Sequence, residues 1–178
     1  MAAIHACRRV ALRPGLDPAA AGAPVVWLPP LINATQAADG TVTATAGNAG
    51  ATGSRTVANT GPGLRAWVEA GHNAVSDFGL FGFTNQRNNN VLPLQGFYVE
   101  GLSVFKLVVN GAINNTARAI GPSDRLRVEL HDTKVVFRFN NTVLLETAAP
   151  EAVASLWAYA KMENINCAWT ACTLYAAT

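Results

Sequence analysis

Four side chains that a hydrolase would use, Arg127, Glu129, His131 and Asp132, fall within six positions of SDRLRVELHDTKVVFRFNNTVLLET, residues 123–147. Glycoside hydrolysis needs two carboxyl groups facing one bond, one ionised and one protonated. Glu129 and Asp132 are three positions apart, which puts them on opposite faces of a regular strand. In the same stretch Leu126, Val128 and Leu130 alternate with Arg125, Arg127, Glu129 and His131. After a turn at Asp132–Thr133, Val135, Phe137 and Phe139 alternate with Val136, Arg138 and Asn140. This period of two predicts a hairpin with an apolar face and a charged, solvated one. A half-exposed sheet accounts for every one of these residues without catalysis.

Other constellations are sparse. His5, His72 and His131 are far from one another and from the cysteines, so ordinary surface or turn roles are expected and no metal or cofactor is implied. The three cysteines, Cys7, Cys167 and Cys172, form no disulfide framework and no zinc-knuckle spacing. In one regular strand Cys167 and Cys172 would point to opposite faces, leaving two buried thiols and one on the N-terminal segment. There is no Gly-x-Ser-x-Gly and no phosphate-cradling glycine loop. Asn33, Asn114 and Asn140 begin Asn-x-Thr sequons, which matter only for a secreted chain.

The candidate ligand site is the loop TNQRNNNVLP, residues 84–93, in which Asn85, Gln86, Arg87, Asn88, Asn89 and Asn90 supply donors and acceptors for sugar hydroxyls. The same composition also fits a solvated loop or one docked on a neighbouring subunit. Trp157, Tyr159, Trp169 and Tyr175 offer an aromatic platform for a sugar face, although aromatics alternating along strands usually form core.

The elements that must position these groups are strands. From PVVWLPP onward, short Val-, Thr-, Phe- and Leu-rich runs alternate with Gly, Asn, Asp and Pro clusters about every ten residues, which predicts an all-β, two-sheet antiparallel sandwich. The predicted strands are 25–28, 41–45, 55–58, 64–69, 76–83, 96–99, 104–110, 112–117, 125–131, 134–140, 143–147, 156–161 and 167–176. Asn110–Gly111 fits a type I′ hairpin turn. FGLFGF, apolar on both faces, predicts a central strand covered on each side. APEAVASLWAYAKM also carries a helical face behind a proline; strand is the reading adopted for 156–161.

Residues 1–24 lack apolar periodicity and read as an N-terminal arm, with 25–178 as the sandwich. The arm carries Cys7, Arg8, Arg9 and Arg13 with no acid before Asp17, the pattern of a segment that orders on a partner. Over 178 residues only 13% are charged and the net charge is +2, which gives no basic stripe for nucleic acid. No apolar run reaches the roughly 20 residues of a membrane-inserted span. The first residues lack a secretory h-region, so synthesis in a cytoplasm is expected.

PVVWLPPLINATQAADGTVTATAG, GATGSRTVANTGPGLRAWVEA, FGLFGFTNQ and GLSVFKLVVNGAI, followed by the hairpin quoted first, resemble a concanavalin A-like lectin or SPRY-like jelly roll of the kind found in tailed-phage virion proteins. The hairpin resembles the family's GD-x-L-x-I … G-x-V-x-Y-x-x-NG, with Ser123–Asp124 standing for Gly-Asp and Asn140–Asn141 for Asn-Gly. The resemblance spans roughly 150 residues, and its motifs are signatures of fold rather than of an active site. It implies a jelly-roll sandwich and a non-catalytic virion component: a capsid decoration, tail or fibre module made in the host cytoplasm. Its implied partners are other virion proteins reached through the arm, further copies of itself, and host surface glycans. A free carbohydrate-binding lectin is the alternative. The carboxylate-rich metal loop of legume-type lectins and the Glu-x-Asp-x-x-Glu of laminarinase-type glucanases are both missing, so neither a metal nor glycan hydrolysis is implied.

Overall fold

The computed structural model describes residues 22–58, 62–73, 78–87, 91–101, 104–149 and 155–177. Among the described residues there are fourteen strands: β1 (Ala23–Pro24), β2 (Ala34–Gln36), β3 (Val42–Ala44), β4 (Ala49–Val57), β5 (Leu64–His72), β6 (Phe78–Thr84), β7 (Gln95–Glu100), β8 (Val104–Val109), β9 (Ala112–Ala119), β10 (Leu126–His131), β11 (Lys134–Phe139), β12 (Thr142–Ala148), β13 (Leu156–Met162) and β14 (Ala168–Ala176). They form two antiparallel sheets. One runs β12-β11-β10-β5-β14-β3-β2, with β1 also on β14; the other runs β4-β13-β6-β7-β8-β9. Among the described residues, no helix is long and apolar enough to cross a membrane.

The two sheets bury one core between them, as the alternation requires. Leu126, Val128, Leu130, Val135 and Phe137 of the eight-stranded sheet meet Phe81, Phe83, Phe97, Val99 and Phe105 of the six-stranded sheet. The Phe97 ring stands edge-on to Phe105 and to Phe137, at 5.8 Å in each case. Each such ring contributes about 1.5–3 kcal/mol by leaving water. β6 is central, between β13 and β7, as its two-faced apolar run predicts. The 156–161 segment is strand: Leu156, Ala158, Ala160 and Met162 alternate into the core.

Turn chemistry sets the register. Asn110 (φ 51°) and Gly111 (φ 75°) join β8 to β9, and Asn140 (φ 48°) and Asn141 (φ 65°) join β11 to β12, both left-handed pairs suited to tight hairpins. Asn140 also donates from Nδ2 to Asp124 Oδ1 at 2.7 Å, so the two positions that match the hairpin motif hold each other. The far edge of β4 is covered by residues 26–32, where Leu28 N donates to Thr52 O and Gly50 N to Ile32 O.

Residues 25–28 form no strand, only the bridge of Trp27 to Gly53. His72 is fully buried on β5 rather than at the surface or in a turn. Three further expectations need correcting. β2 was not expected, because its three residues are half-buried or exposed and carry no alternation. Cys167 and Cys172 do not point to opposite faces; both are fully buried in the one core. The reason is a bulge. Pairing of β14 with β5 shifts register between Thr170 and Thr173, with Ala171 at φ 44°, and one extra residue flips the later half of the strand. Arg125 Nη1 and Nη2 pin that bulge through Thr170 O and Ala171 O, and Ala171 N donates to Thr41 Oγ1. Third, Glu129 is not solvated: its side chain is 2% exposed.

Ala23 and Pro24, the end of the segment read as an arm, pair with Leu174 and Thr173 of β14. Cys7, Arg8, Arg9 and Arg13 lie outside the described residues.

Candidate functional site

Each sheet turns one face to the core and one outward, and the two outward faces differ. On the eight-stranded sheet, register places Glu69 beside Arg127, and Trp67 beside Glu129. Glu69 accepts from Arg127 Nε at 2.7 Å and Arg125 Nε at 3.3 Å. Glu129 accepts from Arg138 Nε at 2.7 Å, and its other oxygen lies 3.3 Å from His131 Nε2. Arg127 lies over the Trp67 ring at 4.4 Å, and Trp67 stacks on Tyr175. Two carboxylates therefore do share this face, the second coming from β5 rather than from the hairpin. Their state is wrong for acid catalysis. Burial raises the Glu129 pKa, but the hydrogen bonds and charges of His131 and Arg138 outweigh it and hold the carboxyl below its usual value. A glycosidase acid needs the opposite shift. Asp132 lies in the turn, where Oδ1 accepts from Thr133 N. Arg127, Glu129 and His131 thus belong, with Glu69, Arg125 and Arg138, to one network of ion pairs, and Asp132 stands outside it.

The outer face of the six-stranded sheet is built otherwise. Phe78, Leu80, Tyr98, Lys161 and Glu163 line a groove of about 290 Å³, with Gly79 in its floor. Phe78 and Tyr98, diagonal neighbours on β6 and β7, stack with centroids 6.1 Å apart and planes 20° apart. Phe78 is 38% exposed, high for an aromatic ring. Lys161 pairs with Glu163 at 2.6 Å, and Lys106 pairs with Glu100 beside Tyr98. Burial first, then the charge of Glu100, raises the Tyr98 hydroxyl pKa, so it remains a neutral donor. Gly79 is needed beneath: a Cβ there would lie 3.1 Å from the Trp169 ring and 3.3 Å from His72 Nε2.

Part of the predicted loop packs on this same face. Asn85, Gln86 and Arg87 are exposed, and the Arg87 guanidinium lies over the Trp157 ring at 4.7 Å. Tyr159 OH donates to Val91 O at 3.0 Å, and burial raises its pKa. The loop and two of the four candidate aromatics thus come together. Trp169 is core, with Nε1 donating to Lys161 O, and Tyr175 belongs to the other sheet. Asn88, Asn89 and Asn90 lie outside the described residues. Sequence reading missed Phe78, Tyr98, Lys161 and Glu163. The available signal was the phenylalanine at the very start of a strand otherwise covered on both faces.

Buried elsewhere, His72 Nε2 lies 3.3 Å from Cys167 Sγ, and burial holds its imidazole down to about 4. Among the described residues no three His, Cys, Asp or Glu side chains converge to hold a metal.

Comparison with known proteins settles the architecture. No protein-family model and no curated protein matches the chain. Solved structures do. The SPRY domain of human HERC1 is 14% identical, with a TM-score of 0.57 over 85% of this chain and 98% of that one. The carbohydrate recognition domain of Emp47p is 10% identical, with a TM-score of 0.59 over 90% and 96%. The fold is a concanavalin A-like jelly roll. The exoplasmic/lumenal domain of VIP36 has it too, at 9% identity and a TM-score of 0.54 over 82% of this jelly roll and 83% of that domain. At these identities the likeness extends to the fold alone.

Proposed function

We propose that this jelly roll is a non-catalytic glycan-binding module whose site is the groove on the outer face of the six-stranded sheet. The observation that carries the reading is the half-exposed Phe78–Tyr98 stack between two lysine–glutamate pairs. A sugar ring offers an apolar C–H face and a rim of hydroxyls; the rings fit the first, and ammonium, carboxylate and phenol groups fit the second. The volume suits one or two sugar units. The carbohydrate recognition domain among the similar structures is consistent with this reading. Titration of Phe78→Ala and Tyr98→Ala against a glycan array tests it: each should weaken binding about tenfold while melting as the parent does. Binding undiminished by both changes would place the site elsewhere.

The setting proposed for this activity is a tailed-phage particle, with residues 1–24 as the segment that docks on other virion proteins or on further copies, reinforced by Cys7. That setting rests on the sequence resemblance. A mass-spectrometric inventory of purified particles tests the location. Incorporation of a chain lacking residues 1–21 tests the arm; this cut spares the pairing of Ala23 and Pro24 with β14. Normal incorporation of the shortened chain would end the assembly role.

A further inference from the structure

The two ion pairs beside the groove stand in one sense. The Glu100 and Glu163 side chains are 43% and 40% exposed, whereas those of Lys106 and Lys161 are 20% and 14% exposed. Each lysine engages one carboxylate oxygen, Glu100 Oε2 and Glu163 Oε1, so the solvent side of both pairs is the acid. Both acids also flank the exposed ring. Glu100 is the register partner of Phe78 on β7, and Glu163 N donates to Phe78 O at 3.1 Å. The mouth of the groove is therefore an aromatic face between two outward carboxylates, with the compensating charges set beneath.

We infer that the groove selects saccharides carrying a protonated primary amine over neutral and acidic ones. This rests on the glycan reading above and names its ligand class. An ammonium over the Phe78 ring meets the negative π face and two carboxylates at once. A sugar carboxylate meets the same two acids as repulsion, and both lysines are already engaged. Tyr98 lies in this field: after burial, the charge of Glu100 raises its hydroxyl pKa, Lys106 opposes it, and Glu163 adds a smaller rise.

Calorimetric titration of the full chain with four probes tests the inference: a glucosamine tetramer, its fully N-acetylated counterpart, a tetragalacturonate and tetralysine. At about pH 6 and low salt the glucosamine tetramer should bind about tenfold more tightly than the N-acetylated one, and the gap should close in about 0.5 M salt. The double change Glu100→Gln and Glu163→Gln should abolish the gap, so that the two tetramers bind with equal affinity. The salt series reads the same electrostatics on the unaltered chain, should the double variant fold poorly. Equal affinity for the two tetramers, tighter binding of the galacturonate, or a preference that survives both glutamine changes would overturn the inference alone. Failure of all three saccharides, with or without binding of tetralysine, would overturn the glycan reading and this inference together.

Discussion

The outer face of the eight-stranded sheet holds Arg125, Arg127, Arg138, Glu69, Glu129 and His131; that of the six-stranded sheet holds two lysine–glutamate pairs and an exposed aromatic stack. The first is richer in catalytic residue types, yet its charges satisfy one another and its central acid is buried. The second is poorer in charge, but it presents a groove, half-exposed rings and outward carboxylates. Residue types that can do chemistry do so only where something is left unsatisfied and open to a ligand. On one face register consumes them; on the other it leaves a stack and a rim.

The comparison can be broken first at its interior. Phe137→Ala should cost about 3–5 kcal/mol, because the ring is fully buried against Phe97. Glu129→Ala should cost about 3 kcal/mol, because its buried carboxylate is the shared partner of Arg138 and His131 and its loss leaves Arg138 with the Asn141 carbonyl. Neither change should alter glycan affinity in the folded fraction, and chemical denaturation beside a binding assay checks both. A Glu129 change costing under about 0.5 kcal/mol, typical of a solvated surface site, would show that the network is not holding the face.

Acid should act in the same direction. The folded pKa of His72, about 4, lies below the unfolded value of 6.5, so below pH 6.5 the unfolded chain binds a proton that the folded chain refuses. Stability contributed by neutral His72 is complete above 6.5 and is lost as pH falls toward 4, by at most about 3 kcal/mol. Glu129, with its folded pKa lowered, adds to the loss on the acid side of the carboxylate range. Denaturant melts between about pH 7 and pH 4.5 should show this slope, and His72→Gln should flatten its upper part.

Legibility in the sequence divides along the same line. Strands with regular alternation, such as 126–131 and 134–139, could be read directly, because one buried face dictates their pattern. β2 could not, since Ala34–Gln36 buries too little to leave a pattern. The bulge at Ala171 was hidden because its causes, Arg125 and Thr41, come from distant strands. Glu129 reads as solvated from its own strand; its burial follows from Arg138 on β11 and from Arg127 over the neighbouring Trp67 on β5. The groove was illegible for the same reason, being assembled from β6, β7 and β13. Of the predicted loop, the structure shows Arg87 over the Trp157 ring, on the same sheet as the groove.

Smaller effects sharpen the contrast on the six-stranded side. Tyr98→Ala should weaken glycan binding about tenfold, the worth of roughly one aromatic contact, with little change in melting temperature. Arg87→Ala should cost about 0.5–1 kcal/mol of stability through its contact with Trp157 and leave binding unchanged. A larger loss of binding for Arg87→Ala than for Tyr98→Ala would shift the site toward the loop.

The most direct test of the central claim is a backbone amide NMR titration with the tightest-binding oligosaccharide. It reads both outer faces in a single experiment. The shifts should concentrate at Phe78, Gly79, Leu80, Tyr98, Lys161 and Glu163, with Glu69, Arg127, Glu129 and Arg138 unmoved. Saturable shifts centred on those last four residues, with a silent groove, would contradict the assignment of function to the six-stranded face.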